Sequence, residues 1–155
     1  MATELALVAS NCGFVAAGAT CGALSRYGVA ELAKTTTLGA KHPFAATFAV
    51  NVVGSLVLGC VTGAVRPGSH GALLAGTGFC GAFTTFSTYA VDAVKLVQAG
   101  NIATAAGYIA ASNAASIGAV VVGLKLVSHP PVLSALSSLR VQRPLMGRLF
   151  PAARK

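Results

Sequence analysis

Few residues in this chain could do polar chemistry, and most of them sit inside apolar runs. Asn51 lies in one such run with Ser55 one helical turn on, so the two share a face. Tyr108, Ser112 and Ser116 recur every four residues in another run and form one polar stripe. The segment Gly78–Tyr89, GFCGAFTTFSTY, combines two glycines and three phenylalanines with the hydroxyls of Thr84, Thr85, Ser87 and Thr88. Arg26 stands toward the end of the first apolar run. An amide in lipid is costly and usually faces a partner helix or a polar path. Three polar positions in register say more than a lone serine, which can bond its own helix carbonyl. Each feature has a plainer counterpart: Asn51 as interhelical glue, Phe83 and Phe86 as packing, Arg26 as a side chain snorkelling to the headgroups. No nucleophile–base pair or metal-binding side-chain cluster appears, which argues against an enzyme.

The segment Gly78–Tyr89 is the one the other elements must position. A helix in lipid has to satisfy its own backbone hydrogen bonds. Two glycines followed by four hydroxyl residues are a poor recipe for an unbroken helix. Non-helical backbone at membrane depth survives only where it is buried in protein or lines a polar cavity. The segment therefore predicts a helix broken near mid-membrane, with freed backbone groups facing a functional site. A glycine-rich helix packed closely on a neighbour is the competing reading, and the segment alone does not separate the two.

Composition sets the surroundings. Of 155 residues, 55% are apolar and 9% charged, against roughly a quarter charged in average soluble domains. The carboxylates are Glu4, Glu31 and Asp92 only, too few for a soluble surface but suited to a bundle wrapped in lipid. At roughly 20 residues per span, an all-α integral membrane fold of about four spans fits residues 1–127. A basic surface tail, residues 128–155, would follow. Net charge is +8, yet five of the eleven cations lie in the last sixteen residues. That places the charge near headgroups and gives no basic face for nucleic acid. Cys12, Cys21, Cys60 and Cys80 form no CxxC pair and all lie in apolar runs, so they are expected to be buried, inert thiols. No cleavable signal is expected, because Glu4 replaces the usual basic start.

In order, span one runs from about Leu5 to Ala33 and carries the GxxxG pair Gly18/Gly22, which invites close helix approach. Lys34 to His42 reads as a short polar loop. Span two runs from Pro43 to about Val65, with a second pair at Gly59/Gly63. Arg66-Pro67-Gly68-Ser69 is a turn by its residue chemistry. Span three runs from about Gly71 to Val97, with Asp92 and Lys95 marking its far end. After the Gly100-Asn101 turn, span four runs from about Ile102 to Val127, and His129-Pro130-Pro131 stops it.

With these residues in hand, the chain resembles the Fluc/CrcB family of fluoride channels over residues 5–127. The resemblance rests on GATCGALSRYG (Gly18–Gly28), PFAATFAVNVVGSLVLG (Pro43–Gly59) and GFCGAFTTFSTY (Gly78–Tyr89), in that order. It implies four transmembrane helices per protomer, the third broken, in an antiparallel, dual-topology dimer with two fluoride pores in the cell inner membrane. It further implies a structural Na⁺ at the dimer centre, held by backbone carbonyls at the positions matching Gly81 and Thr84. Asn51 matches the family's pore asparagine, Phe86 its pore phenylalanine, Arg26 a vestibule arginine, and Tyr108, Ser112 and Ser116 a polar track. Where the family usually has a second phenylalanine, this chain has Tyr89, which keeps the ring and adds a hydroxyl.

The chemistry of the residues stands beside this. Fluoride is small and strongly hydrated, so a pore must replace its water with donors. Asn51 offers an NH₂, and Ser112, Ser116, Tyr108 and Thr88 offer hydroxyls. Phe86 presented edge-on offers the positive rim of its ring. Carbonyls freed by a broken helix suit a hard cation. Lys34, Lys41 and Lys95 nearly balance the basic residues on the other side, which permits insertion in both orientations, whereas Arg140 and Arg143 favour termini inside. Both a homodimer and a heterodimer with a related chain of opposite orientation therefore stand. The expected function is passive fluoride export that relieves toxicity. The alternatives are a small proton-coupled drug exporter, which needs a carboxylate deep in the membrane, and a non-transporting scaffold built on the GxxxG pairs.

Overall fold

Long apolar runs become long helices, and the punctuation between them falls at Gly and Pro. In this computed structural model residues 1–128 are described. The basic tail and the His129-Pro130-Pro131 stop lie outside the described residues. Helix α1 covers Ala2–Lys34. The expected polar loop after it holds a short helix instead: α2 spans Thr37–Lys41, because Thr36 accepts from Gly39 N at 3.1 Å and caps it. Helix α3 runs Phe44–Ala64, directly after Pro43. Gly68 takes a φ of +76° in the turn that follows, a conformation open mainly to glycine.

The next stretch differs from a plain α-helix. Ala72–Cys80 is π-helical, and the Gly81 N–H reaches back to Gly76 O. Helix α4 is a single turn, Gly81–Phe83. The chain then breaks: Thr84 has ψ 158° and Thr85 has φ −150°, ψ 113°, both extended. It resumes as α5, Phe86–Gln98, and α6 completes the fold from Ile102 to Ser128. The break predicted within Gly78–Tyr89 is therefore present, at Thr84 and Thr85. Every described element is helical. Three helices, in α1, α3 and α6, are long and apolar enough to cross a membrane. The segment Ala72–Gln98 is in pieces, so it contains no single helix of that length.

Small residues set the packing. Helix α3 lies along α6, and α1 lies along the π-helical stretch. A Cβ on Gly18 or Gly22 would strike the backbone of Leu74 or Phe79, and one on Gly59 would strike Val120. Both GxxxG pairs thus face a neighbouring backbone, α6 in the case of Gly59/Gly63. The buried apolar cluster is Tyr89, Ala93 and Tyr108, flanked by Phe44, Phe48 and Leu96. Large apolar side chains such as Leu24, Ile117 and Leu126 stand exposed on the helices, as surfaces facing hydrocarbon do. One expectation is corrected. Cys12 and Cys21 are exposed on α1, and only Cys80 is buried among the four cysteines, because the outer helix faces are as apolar as the interior. Asp92 and Lys95 fall in the last helix of the Ala72–Gln98 segment, toward its far end.

Candidate functional site at the break of the third segment

The break is held by α3. Asn51 Nδ2 donates to Thr85 O at 3.1 Å, and Thr85 N donates to Asn51 Oδ1 at 2.7 Å. One carboxamide thus satisfies both main-chain groups of Thr85, two of those that the interrupted helix leaves open. Gly54, one turn beyond Asn51 on the same helix, makes room: a Cβ there would lie 2.5 Å from Thr84 Cγ2 and 3.1 Å from Phe83 Cδ1. Thr85 caps α5, its Oγ1 accepting from Thr88 N at 3.2 Å and donating to Thr88 Oγ1 at 3.0 Å.

Two sets of main-chain groups are left without partners among the described residues. The carbonyls of Gly81, Ala82, Phe83 and Thr84 accept no hydrogen bond, and the N–H groups of Phe86 and Ser87 donate none. The first set ends one helix with negative partial charge, and the second begins the next with positive partial charge. No group of His, Cys, Asp or Glu side chains that could hold a metal occurs among the described residues. The carbonyls before the break are the donors here that a hard cation would take.

An open cleft lies on each side of the break. The first, about 340 Å³, is lined by Arg26, Tyr27, Thr47, Val50, Thr85 and Thr88 among others. The second, about 260 Å³, is lined by Asn51, Ser55, Thr84, Thr85, Phe86, Tyr89, Ser112, Asn113 and Ser116 among others. The residues singled out from sequence therefore divide. Asn51, Phe86, Tyr89, Ser112 and Ser116 meet in the second cleft, while Arg26 and Thr88 lie in the first. Tyr108 lines neither. It is buried, its ring 5.0 Å from that of Phe44 and 5.3 Å from that of Tyr89 between centroids. Gly81 is exposed and Thr84 half-buried. Phe86 is 79% exposed, with its ring centroid 5.5 Å from that of Tyr89.

The polarity of the two clefts is one-sided. The Ser112 hydroxyl is buried and makes no well-formed hydrogen bond within the protein, its near neighbour being the Tyr108 hydroxyl behind the cleft. Asn51 keeps one N–H unused after its bond to Thr85. Arg26 has no carboxylate partner among the described residues. The half-buried carboxylate of Asp92 is engaged by Thr47 Oγ1 at 2.7 Å and lines neither cleft. Sequence reasoning missed three participants. Thr85 was legible only as one of four hydroxyls, though both clefts share it. Thr47 and Asn113 had no local signal, since their partners lie 45 and 24 residues away.

The family model described as CrcB-like protein, Camphor Resistance (CrcB), matches residues 13–124, a range that contains Arg26, the break and both clefts. The chain is similar to a protein named fluoride-specific ion channel FluC from Paracoccus denitrificans, 43% identical over 112 residues, which are 71% of this chain and 88% of the relative. A protein named fluoride-specific ion channel FluC 1 from Nocardia farcinica is 42% identical over 120 residues, 76% of this chain and 81% of the relative. A FluC from Novosphingobium aromaticivorans is 39% identical over 118 residues, 74% and 93% of the two chains. With its spanning-length helices α1, α3 and α6, this is a multi-pass membrane protein, and it belongs to the CrcB-like family.

Proposed function

We propose that this protein is a fluoride-selective channel that lets cytoplasmic fluoride leave down its gradient. The observation that carries the reading is the second cleft. It gathers an amide N–H, hydroxyls and two aromatic rings around the start of a helix, with no carboxylate among the residues that line it. A small, strongly hydrated anion gives up its water only where donors replace it. Asn51 supplies an unused N–H, and Ser112 supplies a buried hydroxyl without another partner. The free N–H groups at the start of α5 add a positive partial charge. Phe86 and Tyr89 offer ring edges, which are weakly positive. Weak stations in sequence suit conduction, because an ion has to leave as well as enter. Arg26 and Thr88 in the first cleft suit a vestibule: one unpaired cation raises the local anion concentration without trapping it. The names of the relatives support the same choice of ion.

The working unit is a dimer, with Ala72–Gln98 as a broken third span of four. Phe86 is too exposed in one protomer to belong to a closed path, and a second copy would cover it. The carbonyls of Gly81 and Thr84 accept no hydrogen bond among the described residues. They fit a structural Na⁺ shared between copies, which would supply fixed positive charge beside the anion path. A proton-coupled exporter is the weaker reading, because Asp92 is held by Thr47 and lines neither cleft.

The decisive experiment is efflux from liposomes holding the purified protein, read with fluoride- and chloride-sensitive electrodes. Fast fluoride release with little chloride release is expected, and Phe86→Ile is expected to abolish it while leaving the dimer intact. Equal release of both halides, or none from the unaltered protein, would remove the reading.

A further inference from the structure

The phenol of Tyr89 is tethered from α6. Tyr89 is 9% exposed and lines the second cleft. Asn113 Nδ2 lies 2.8 Å from Tyr89 Oη and 2.7 Å from the Ile109 carbonyl one turn back. A main-chain carbonyl can only accept, so the Asn113 atom facing Ile109 must be the amide nitrogen. An NH₂ has two hydrogens, and these two bonds use both. Tyr89 Oη is therefore an acceptor toward Asn113 and keeps its own proton. That proton has no acceptor among the described residues. The ring is wedged between Phe86 and Tyr108, at centroid distances of 5.5 Å and 5.3 Å. With the ring wedged and the oxygen tethered, the O–H is left to turn toward the cleft.

We propose that Asn113 is a positioning residue that turns the Tyr89 hydroxyl into a hydrogen-bond donor for a small anion in the second cleft. The proposal rests on the anion-conducting function argued above. Asn113 cannot serve as the donor itself, since both of its N–H groups are used and its remaining polar atom is an acceptor. Tyr89 can, and a bond from a hydroxyl to an anion is roughly twice as strong as one between neutral groups. The cleft then has a donor from each of three elements: Asn51 on α3, Tyr89 on α5 and Ser112 on α6.

The test is the half-saturating fluoride concentration for flux through reconstituted protein, measured for Tyr89→Phe, Asn113→Ala and the double variant. Tyr89→Phe keeps the ring and deletes only the donor. It should raise the half-saturating concentration by roughly tenfold or more, the factor for losing a hydrogen bond to a charged partner. Asn113→Ala should shift it in the same direction, and in the Tyr89→Phe background it should add nothing. An unchanged value in either single variant, or shifts that add in the double variant, would overturn the proposal while leaving fluoride conduction standing. Absence of fluoride flux in the unaltered protein would instead remove the function on which it rests. Should Tyr89→Phe not assemble, Asn113→Leu against the unaltered protein decides alone: no shift overturns the positioning role.

Discussion

The carboxamide of Asn51 bonds both the N–H and the C=O of Thr85, at 2.7 Å and 3.1 Å. A side chain on one helix thereby satisfies both main-chain groups of the residue at which another segment is interrupted. Asparagine suits this because one donor and one acceptor project from a single flat group. Asn51→Ala should therefore act on structure as well as flux. It orphans two backbone groups, at about 1–3 kcal/mol each when buried. A lower thermal midpoint in detergent together with lost fluoride efflux is expected. Asn51→Asp keeps the acceptor for Thr85 N–H but faces a carboxylate oxygen toward Thr85 O, so it should conduct no better than alanine. An aspartate variant with normal efflux would show that the unused N–H is not needed.

Gly54 lets the break exist. A Cβ there would press on Thr84 Cγ2 at 2.5 Å and on Phe83. Gly54→Ala should destabilise by about 1–3 kcal/mol, the usual range for overpacking, and should disturb the Asn51–Thr85 clip nearby. Gly13→Ala is the control, since nothing lies within 4 Å of a Cβ at that position. Thermal midpoints of the two variants in one detergent decide: equal midpoints would mean that Thr84 shifts without penalty.

Much of the architecture was legible because spans, turns and close helix contacts depend on composition and short spacing. Gly18/Gly22, Gly59/Gly63 and the Arg66–Ser69 turn needed only neighbours in sequence. The clustered glycines and hydroxyls around Phe83 allowed an interruption but equally a closely packed continuous helix, and the extended backbone of Thr84 and Thr85 decides between them. The π-helical course of Ala72–Cys80 was not legible, since no local residue pattern marks it, and its close approach to α1 at Gly78 pairs residues some sixty positions apart. Nor was the separation of Arg26 and Thr88 from Asn51 and Ser112, because a helix face does not announce which side of a break it meets. Asn113 escaped notice beside Ser112, as its importance comes from Tyr89 on another helix.

The unpartnered carbonyls of Gly81–Thr84 yield a prediction that does not depend on flux. If they hold Na⁺, ligand binding to the folded state raises stability with ligand concentration. The thermal midpoint should climb as sodium replaces a bulky organic cation at constant ionic strength, and efflux should fall when sodium is removed. A midpoint indifferent to the cation would exclude the site, whatever the flux.

Ser112 separates a functional hydroxyl from a structural one. It is 5% exposed, and its Oγ has no partner. A buried polar atom left unsatisfied costs stability and brings no compensating bond. Ser112→Ala should therefore leave the thermal midpoint unchanged or raise it slightly, by up to about 1 kcal/mol in stability. Fluoride efflux should nevertheless fall several-fold, because the hydroxyl that bonds nothing in the protein is the one available to a dehydrated anion. A Ser112→Ala variant that conducts as well as the unaltered protein would place this hydroxyl outside the path of the ion. That result would move the anion path away from α6 and toward the Arg26 side of the break.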